Sequence, residues 1–307
     1  MMIQEQLLSK NGTATLKLSR ELLSYEVGDR IPTITEFSDQ INLARGTIQN
    51  ALKNLINAGA ISIGSRGHMG SFLVEKNSSI LLEFAGITYL IGAMPLPYSK
   101  RYEGLASGII ATGEKQQIAP LNLAYMRGAK SRMEMVDSNR YDFAIVSRFA
   151  AERYIKEKNT LEIVLSFGRE SYTGKHVLML HDKKAKQIEN GMKVGIDDTS
   201  YDQLELTKML CEGKKVEFVP VEYSRTIDYV RKGSIDATVM NIDEVLDKNV
   251  DIHYEEIENY SFDNTEAVVV SSLEHREIGH LLKEMIDTDV VLRMQKDVLE
   301  GKTIPRY

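Results

Sequence analysis

The 307-residue sequence predicts two folds in series: a mainly helical N-terminal module closed by a β-hairpin, then a larger α/β domain built as two similar lobes. Three observations carry this expectation. Within residues 45–55, Ile48, Ala51, Leu52 and Leu55 recur at the i, i+3, i+4, i+7 spacing of a helix with one buried face. Residues 60–63 and 71–74 alternate as two strands around a glycine-rich tip. Beyond residue 86, apolar strand-like runs alternate with helical ones, the pattern of an α/β domain. They do so twice: the order of elements ending in Tyr141-Asp142-Phe143-Ala144-Ile145-Val146-Ser147 returns in the one ending in Ile235-Asp236-Ala237-Thr238-Val239-Met240-Asn241.

Length allows two or three domains with real cores. The composition, 43% hydrophobic and 27% charged, is that of a soluble globular protein. Neither a membrane-spanning apolar run nor a leader pattern occurs, so a cytoplasmic protein with no membrane partner is expected. The single cysteine, Cys211, excludes an intrachain disulfide and suits a reducing compartment. The net charge of -6 taken whole argues against nucleic acid. Residues 1–77, however, hold eight Lys+Arg and seven Asp+Glu, net +1, which leaves -7 for the rest. The acidity belongs to the second domain, and basic residues gathered on one face of the first can still hold DNA.

Residues 2–9 read as a short helix closed by Asn11-Gly12. A second helix, N-capped by Thr13, places Ala14, Leu18, Leu22 and Tyr25 on one face. Gly28-Asp29-Arg30-Ile31-Pro32 is a turn. Thr33-Ile34-Thr35-Glu36 has capping-box spacing and opens a helix burying Ile34, Phe37 and Ile41. Asn42 supplies the left-handed residue that a tight turn between helices requires. The next helix, from Arg45, stops at Gly59. Its outer face carries Arg45, Gln49, Asn50, Lys53 and Asn54 and no acid, side chains whose donors and acceptors match base edges and phosphates. The hairpin tip, with three glycines, Arg66 and His68, makes a flexible basic wing. Helix, turn, helix and two-stranded wing is the order of a winged helix-turn-helix, whose partner is a double-stranded DNA operator.

Gly28-Asp29-Arg30-Ile31-Pro32-Thr33, Arg45-Gly46-Thr47-Ile48-Gln49-Asn50-Ala51-Leu52 and Arg66-Gly67-His68-Met69-Gly70-Ser71-Phe72 resemble the DNA-binding domain of GntR-type bacterial transcription regulators. The resemblance implies DNA contacts from Arg30, Arg45, Thr47, Gln49 and the wing glycine Gly67. Thr33, Asn50, Arg66 and His68, on the same stretches, complete the expected DNA-binding set. Ala44 stands where that family has a capping serine, a loss of about 1 kcal/mol. Gln49 stands where arginine is frequent, which shifts base preference from guanine toward adenine.

Asn77-Ser78-Ser79 marks the end of this module, with a linker over residues 78–85 and the second domain over 86–307. Strands are expected at 86–91, 118–125 and 141–147 in the first lobe and at 193–196, 216–221 and 235–241 in the second. Helices are expected at 102–112, 129–138, from the Thr199 region to 212, and at 225–232. Two such lobes joined by crossing strands, near 165–177 and 260–268, resemble the type 2 periplasmic-binding-protein fold, used inside cells as the effector domain of many regulators. Lobe I takes about 86–170 and 265–307, and lobe II about 176–260. The combination with a GntR-like head is most similar to the YhfZ family of regulators.

In lobes of this kind a ligand sits outside the carboxyl ends of the strands, where helix N-termini present free N–H groups. Four stretches occupy that position: Pro95 with Tyr98 and Ser99, Ser147-Arg148, Thr199-Ser200-Tyr201, and Asn241. Their hydroxyls and amides, with Arg148 as the cation, suit a small polar anion such as a carboxylate or phosphate. Phe167-Gly168 and Tyr223 are candidates for an apolar wall. The expected function is a homodimeric DNA-binding regulator controlled by that small-molecule effector. The alternatives are a DNA-binding protein whose second domain only dimerises and, further off, an enzyme acting on a small acid.

No cofactor, catalytic residue or metal site is expected. There is no phosphate-cradling loop, nucleophile elbow or Ser-His-Asp order, and His275 and His280 are wrongly spaced for one helix face. His176 and His181 read as structural, Lys17 and Arg20 as solvated, Asp197-Asp198 as capping the following helix, Cys211 as buried, and Glu255-Glu256-Ile257-Glu258 as a solvated edge. Leu7-Leu8 and the helices over 276–298 are the candidate dimer faces.

Overall fold

The computed structural model describes residues 8–257 and 262–307. Contacts divide the chain into two units, the first made of the described residues up to Leu90 with Gly113–Asn122 and His275–Ile286. Residues 2–7 of the expected helix over 2–9, and Leu7 of the candidate dimer face Leu7-Leu8, lie outside the described residues; Leu8 and Ser9 are described and are not helical.

In the first unit α1 (Lys10–Leu23) starts earlier than expected. The Ser9 hydroxyl accepts from the Gly12 N–H at 3.1 Å, so Asn11-Gly12 lies in the first turn of this helix instead of closing another. After β1 (Arg30–Ile31), α2 (Ile34–Ile41) carries a complete capping box: Glu36 N–H donates to Thr33 Oγ1 at 3.3 Å and Thr33 N–H to Glu36 Oε2 at 2.6 Å. Of its three expected core residues only Phe37 is fully buried. Asn42 adopts φ 57°, ψ 48°, the left-handed turn residue. Helix α3 (Arg45–Asn57) buries Ile48, Ala51, Leu52 and Leu55 and packs across α1.

The wing is β2 (Ile61–Ser65) and β3 (Ser71–Lys76), antiparallel, with β1 on the other edge of β3. Arg30-Ile31, expected as part of a turn, thus forms a third strand, pairing with Phe72 and Ser71.

Residues 78–85, expected as a linker, form α4 (Ser78–Ala85). The Asn77 side chain caps it by accepting from Ile80 N–H at 3.1 Å, and Leu81, Leu82 and Ala85 are buried against the module. Arg20, expected to be solvated, donates from Nε to the Ala85 carbonyl at 3.1 Å. The helix Arg276–Met285 belongs to the same unit and packs on α1. Its Glu284 accepts from the Ser78 hydroxyl at 2.9 Å and pairs with Lys76 at 3.4 Å.

The second unit holds two five-stranded mixed sheets. Lobe I runs through β4 (Leu90–Met94), α5 (Lys100–Gln116), β5 (Leu121–Tyr125), α6 (Ala129–Asp137), β6 (Phe143–Ser147), α7 (Arg148–Lys158) and β7 (Leu161–Ser166). Lobe II runs through β8 (His176–Leu180), β9 (Lys193–Ile196), α8 (Tyr201–Leu210), β10 (Glu217–Pro220), α9 (Thr226–Arg231), β11 (Ala237–Asn241), α10 (Ile242–Asp247) and β12 (His253–Glu256). The chain then returns through β13 (Ala267–Ser272), α11 (the Arg276–Met285 helix) and α12 (Thr288–Leu299).

The sheet orders are β5-β4-β6-β13-β7 and β10-β9-β11-β8-β12. In each, one antiparallel strand is inserted beside the innermost parallel ones: β13 between β6 and β7, β8 between β11 and β12. Every residue of β6, β8, β11 and β13 is buried, as expected of strands covered on both faces. The first crossing is the passage from β7 to β8. The start of the second, at Tyr260, lies outside the described residues.

In α5, Gly104 and Gly108 bring α12 to van der Waals distance: a Cβ on either would lie 2.8 or 2.7 Å from the Cα of Gln295 or Val291. The helices proposed as a dimer face spend their apolar sides within the chain, since Ile278, Leu281, Leu282 and Met285 of α11 and Val291 and Val298 of α12 are buried.

Candidate DNA-binding face and effector cleft

On the first unit, α3 is amphipathic in three dimensions as in sequence. Arg45, Gln49, Asn50, Lys53 and Asn54 are exposed, and Thr47 is half-buried at the helix start. Ala44 begins the helix with no side-chain cap. Thr33 is exposed but its hydroxyl is committed to the capping box. The wing tip is a single 3-10 turn over Gly67–Met69, made possible by Gly67 at φ 59°, and His68 is exposed on it. Arg66 is held by stacking, its guanidinium 4.4 Å from the centre of the Phe72 ring. Arg30 runs beside the other end of the tip, its Nε 2.9 Å from where a Cβ on Gly70 would lie.

The second unit contains a cleft between its two lobes. Pro95, Tyr98, Ser200 and Asn241, taken from three of the four expected stretches, line it, as does Tyr223; Ser147-Arg148 supplies no lining residue. Ser99, Ser147, Thr199 and Tyr201 are spent around it. Ser99 Oγ accepts from Tyr102 N–H at 3.4 Å. Thr199 donates its hydroxyl to Asp197 Oδ1 at 2.6 Å. Tyr201 is buried in the lobe I core with Arg153 over its ring at 4.8 Å. Phe167 and Gly168 do not line it.

Arg148 is the clearest correction. It directs its guanidinium to Glu266 at 2.7 Å and Glu152 at 3.4 Å and does not line the cavity. Those partners come from β13's approach and from its own helix, so no charge is left over for a ligand.

Two guanidiniums line the cavity: Arg127 pairs with Glu222 at 3.4 Å, and the other is Arg132, on α6. It is 3% exposed and donates to the Ile145 and Met126 carbonyls at 3.1 and 2.8 Å and to the Tyr172 hydroxyl at 2.9 Å. A signal for it exists in the sequence: Ala129, Arg132, Met133 and Val136 share the i, i+3, i+4, i+7 stripe, and all four are buried. An arginine inside an apolar stripe needs a special reason to be there.

Opposite it, at the start of α8, stand two carboxylates. Asp197 accepts from the Thr199 N–H at 2.9 Å and the Tyr223 N–H at 3.1 Å, an Asx turn ahead of the helix where a cap was expected. Asp202 accepts from Ser147 Oγ and Asn264 Nδ2, each at 2.7 Å. Burial pushes the Asp202 carboxyl up to about 6, while the two hydrogen bonds and the Arg132 charge pull it down. Burial holds His176, also on the wall, down to about 4, so it is a neutral structural imidazole at neutral pH. Just behind, Glu244 is pushed up to about 7, again by burial. Four tyrosines complete the wall in two pairs: Tyr98–Tyr223 with ring centres 5.9 Å apart and Tyr102–Tyr172 with 5.2 Å.

A helix-turn-helix head joined to a two-lobed domain of periplasmic-binding-protein fold, with a polar cleft between the lobes, is the construction of a DNA-binding regulator with a ligand-binding-like second domain. Residues 26–73 match a helix-turn-helix domain model, and residues 77–307 match the YhfZ C-terminal domain. The chain belongs to the YhfZ family. It is 34% identical over 305 residues to YhfZ of Escherichia coli strain K12, with 98% of each chain covered. The crystal structure of YhfZ from Shigella flexneri superposes with a TM-score of 0.62 at 32% identity, covering 75% of this chain and 98% of that one. The methionine-binding protein MetQ (TM-score 0.51, 11% identity, 71% and 98% covered) and the amino-acid transporter protein AbpA of Streptococcus pneumoniae bound to L-arginine (0.51, 13%, 70% and 96%) share the fold of the second domain.

Proposed function

We propose that the protein is a cytoplasmic, homodimeric transcription regulator that reads a two-fold symmetric operator through α3 and the wing, in the GntR manner, and responds to a small effector held in the cleft. The observation that carries this reading is the outer face of α3: Arg45, Gln49, Asn50, Lys53 and Asn54 are all exposed and none is acidic, while the opposite face is buried. Regulation rather than catalysis is the role that this pairing of folds supports. Arg45 and Asn50 would contact base edges or phosphates, Gln49 would favour adenine, and Arg66, Gly67 and His68 would approach the backbone. Arg30, Thr33 and Thr47 would hold the flanking phosphates. An effector that binds the closed lobes more tightly than the open ones would shift the population of DNA-competent dimers.

The test is selection of operator sequences from a random duplex pool with the full chain, followed by gel shift with Arg45→Ala. Recovery of a palindromic motif whose binding is lost in the variant, with the fold intact by circular dichroism, supports the reading. Enrichment of no motif overturns it.

A further inference from the structure

Buried polar groups in a folded chain normally find partners, so the unpartnered ones around a cavity state what its occupant must supply. Three donors are left over in this cleft. Asn241, 1% exposed, has a buried Nδ2 with no partner. Its orientation is fixed from the other side, because Oδ1 accepts from the Asp243 N–H at 2.9 Å and from the Thr173 hydroxyl. Tyr98 has a buried hydroxyl with no partner. Arg132 uses one hydrogen on each of Nη1 and Nη2, which leaves one on each. Arg127, Arg148 and Arg153 are each paired with a glutamate, whereas Arg132 hydrogen-bonds only two carbonyls and a phenol, with Asp202 close enough to feel its charge. All three residues line the same cavity.

The spare acceptors sit on another part of the wall. Asp202 takes one neutral donor on each oxygen, and Asp197 Oδ2 takes only the Tyr223 N–H, so lone pairs remain on both. On the wall Asp197 and Asp202 stand against Arg132 and Arg127, and Arg127 is already paired with Glu222, so no net positive charge is left over for a ligand. A phosphate, with its second negative charge near neutral pH, would worsen that balance. A planar carboxylate matches the guanidinium fork, and an ammonium or hydroxyl on the same molecule would serve the aspartates.

We propose that the cleft takes a small carboxylate that also carries a hydrogen-bond donor, an amino acid or hydroxy acid, with Arg132, Asn241 and Tyr98 receiving the carboxylate and Asp197 and Asp202 the donor. This rests on the sensor reading of the cleft. The tyrosine pairs supply apolar walls for whatever lies between the two ends.

The experiment is titration calorimetry of the full chain with the protein amino acids, glycolate and lactate, acetate and propionate, and inorganic phosphate and glycerol phosphate. An amino acid or hydroxy acid binds the wild-type protein. Asn241→Asp keeps the oxygen that caps α10 but turns the free donor into a second carboxylate, and weakens binding at least a hundredfold. Tyr98→Phe, which removes one hydroxyl, weakens it roughly tenfold or more, and Asp197→Asn weakens the donor-bearing ligand while leaving acetate-type binding unaffected. Acetate or propionate binding as tightly as the hydroxy acids overturns the donor half of the assignment. Phosphate binding that is lost in Asn241→Asp overturns the ligand class and leaves the sensor reading standing. Binding of none of these compounds overturns the assignment, and operator binding unmoved by the cell's small-molecule extract would then remove the sensor reading too.

Discussion

The Ser147 hydroxyl donates to Asp202 Oδ2 at 2.7 Å and joins the last residue of β6 in lobe I to the first turn of α8 in lobe II. The same oxygen accepts from Ala150 N–H at 3.1 Å, so the cap of α7 and the bond between the lobes are one group. Asn264, ahead of β13, holds the other carboxylate oxygen. The contact between the lobes at this point therefore depends on the charge of a buried carboxylate.

That dependence gives a pH prediction with a definite sign. The folded protein holds the Asp202 proton up to about 6, against an ordinary 3.8. The stabilisation from the protonated form is therefore complete below the ordinary value and is lost as pH rises through about 6, a cost of about 3 kcal/mol near neutrality. Glu244, held up to about 7, has the same sign. His176, held down to about 4, has the opposite one, losing stability as pH falls from its unfolded value of 6.5. The difference between Asp202→Asn and wild type isolates the first group. The variant should melt higher at pH 8, and the gap should close as pH falls toward 4; a gap independent of pH would show that the aspartate does not titrate there.

Arg148→Ala should cost at most about 1 kcal/mol, because its pairs with Glu266 and Glu152 are partly exposed. Effector affinity should change less than about twofold, against the hundredfold or greater loss expected for Asn241→Asp. Loss of ligand binding in Arg148→Ala with the melting temperature unchanged would place the anion at the start of α7 after all.

The difference between Arg148 and Arg132 also marks how far the sequence is legible. Local chemistry was readable: the Thr33–Glu36 capping box, the left-handed Asn42 and the two faces of α3 each depend on residues within one or two turns. The linker was misread for the same reason. Asn77-Ser78-Ser79 looks like a polar break, and only burial of Leu81, Leu82 and Ala85 against α1 makes it a capped helix. Arg148 stands where a strand-end rule looks for a ligand cation, but its acid partner Glu266 is 118 residues away. Arg132 was legible in principle from its place in an apolar stripe. Asp202 was less so, because what buries it is Ser147 and Asn264, each more than fifty residues distant.

Ala44→Ser should stabilise the DNA-binding unit. Ala44 has the extended backbone of a helix cap, φ -59° and ψ 143°, but no side-chain acceptor. A serine hydroxyl there would satisfy an N–H of the first turn, worth about 1 kcal/mol. The check is the midpoint of urea unfolding followed in the full chain. An unchanged midpoint would mean that the first-turn N–H groups are already served by solvent.

Glu284 tests how the two activities are connected. The α11 helix follows β13 directly, and β13 is the strand that enters lobe I after the chain has passed through lobe II. Yet α11 packs on α1 within the DNA-binding unit, and Glu284 fixes it there through Ser78 Oγ at 2.9 Å and Lys76 at 3.4 Å. The Lys76 side chain is 5% exposed, donates to the Tyr25 carbonyl at 3.1 Å and has a second, longer pair with Glu26 at 4.0 Å, so removing the Glu284 carboxylate leaves a largely buried ammonium with its weaker acid partner, at a cost of about 1–3 kcal/mol. Should effector binding alter operator affinity, α11 is the part of this unit joined directly in sequence to β13, and Glu284 is the residue that holds it to Ser78 and Lys76. Glu284→Gln keeps the shape and the acceptor for Ser78 but removes the charge. It should leave operator binding without effector, and effector binding without operator, within about threefold of wild type, while reducing the effector-induced change in operator affinity. A variant that still shows the full change would move the connection away from α11, to the path through α4 into β4.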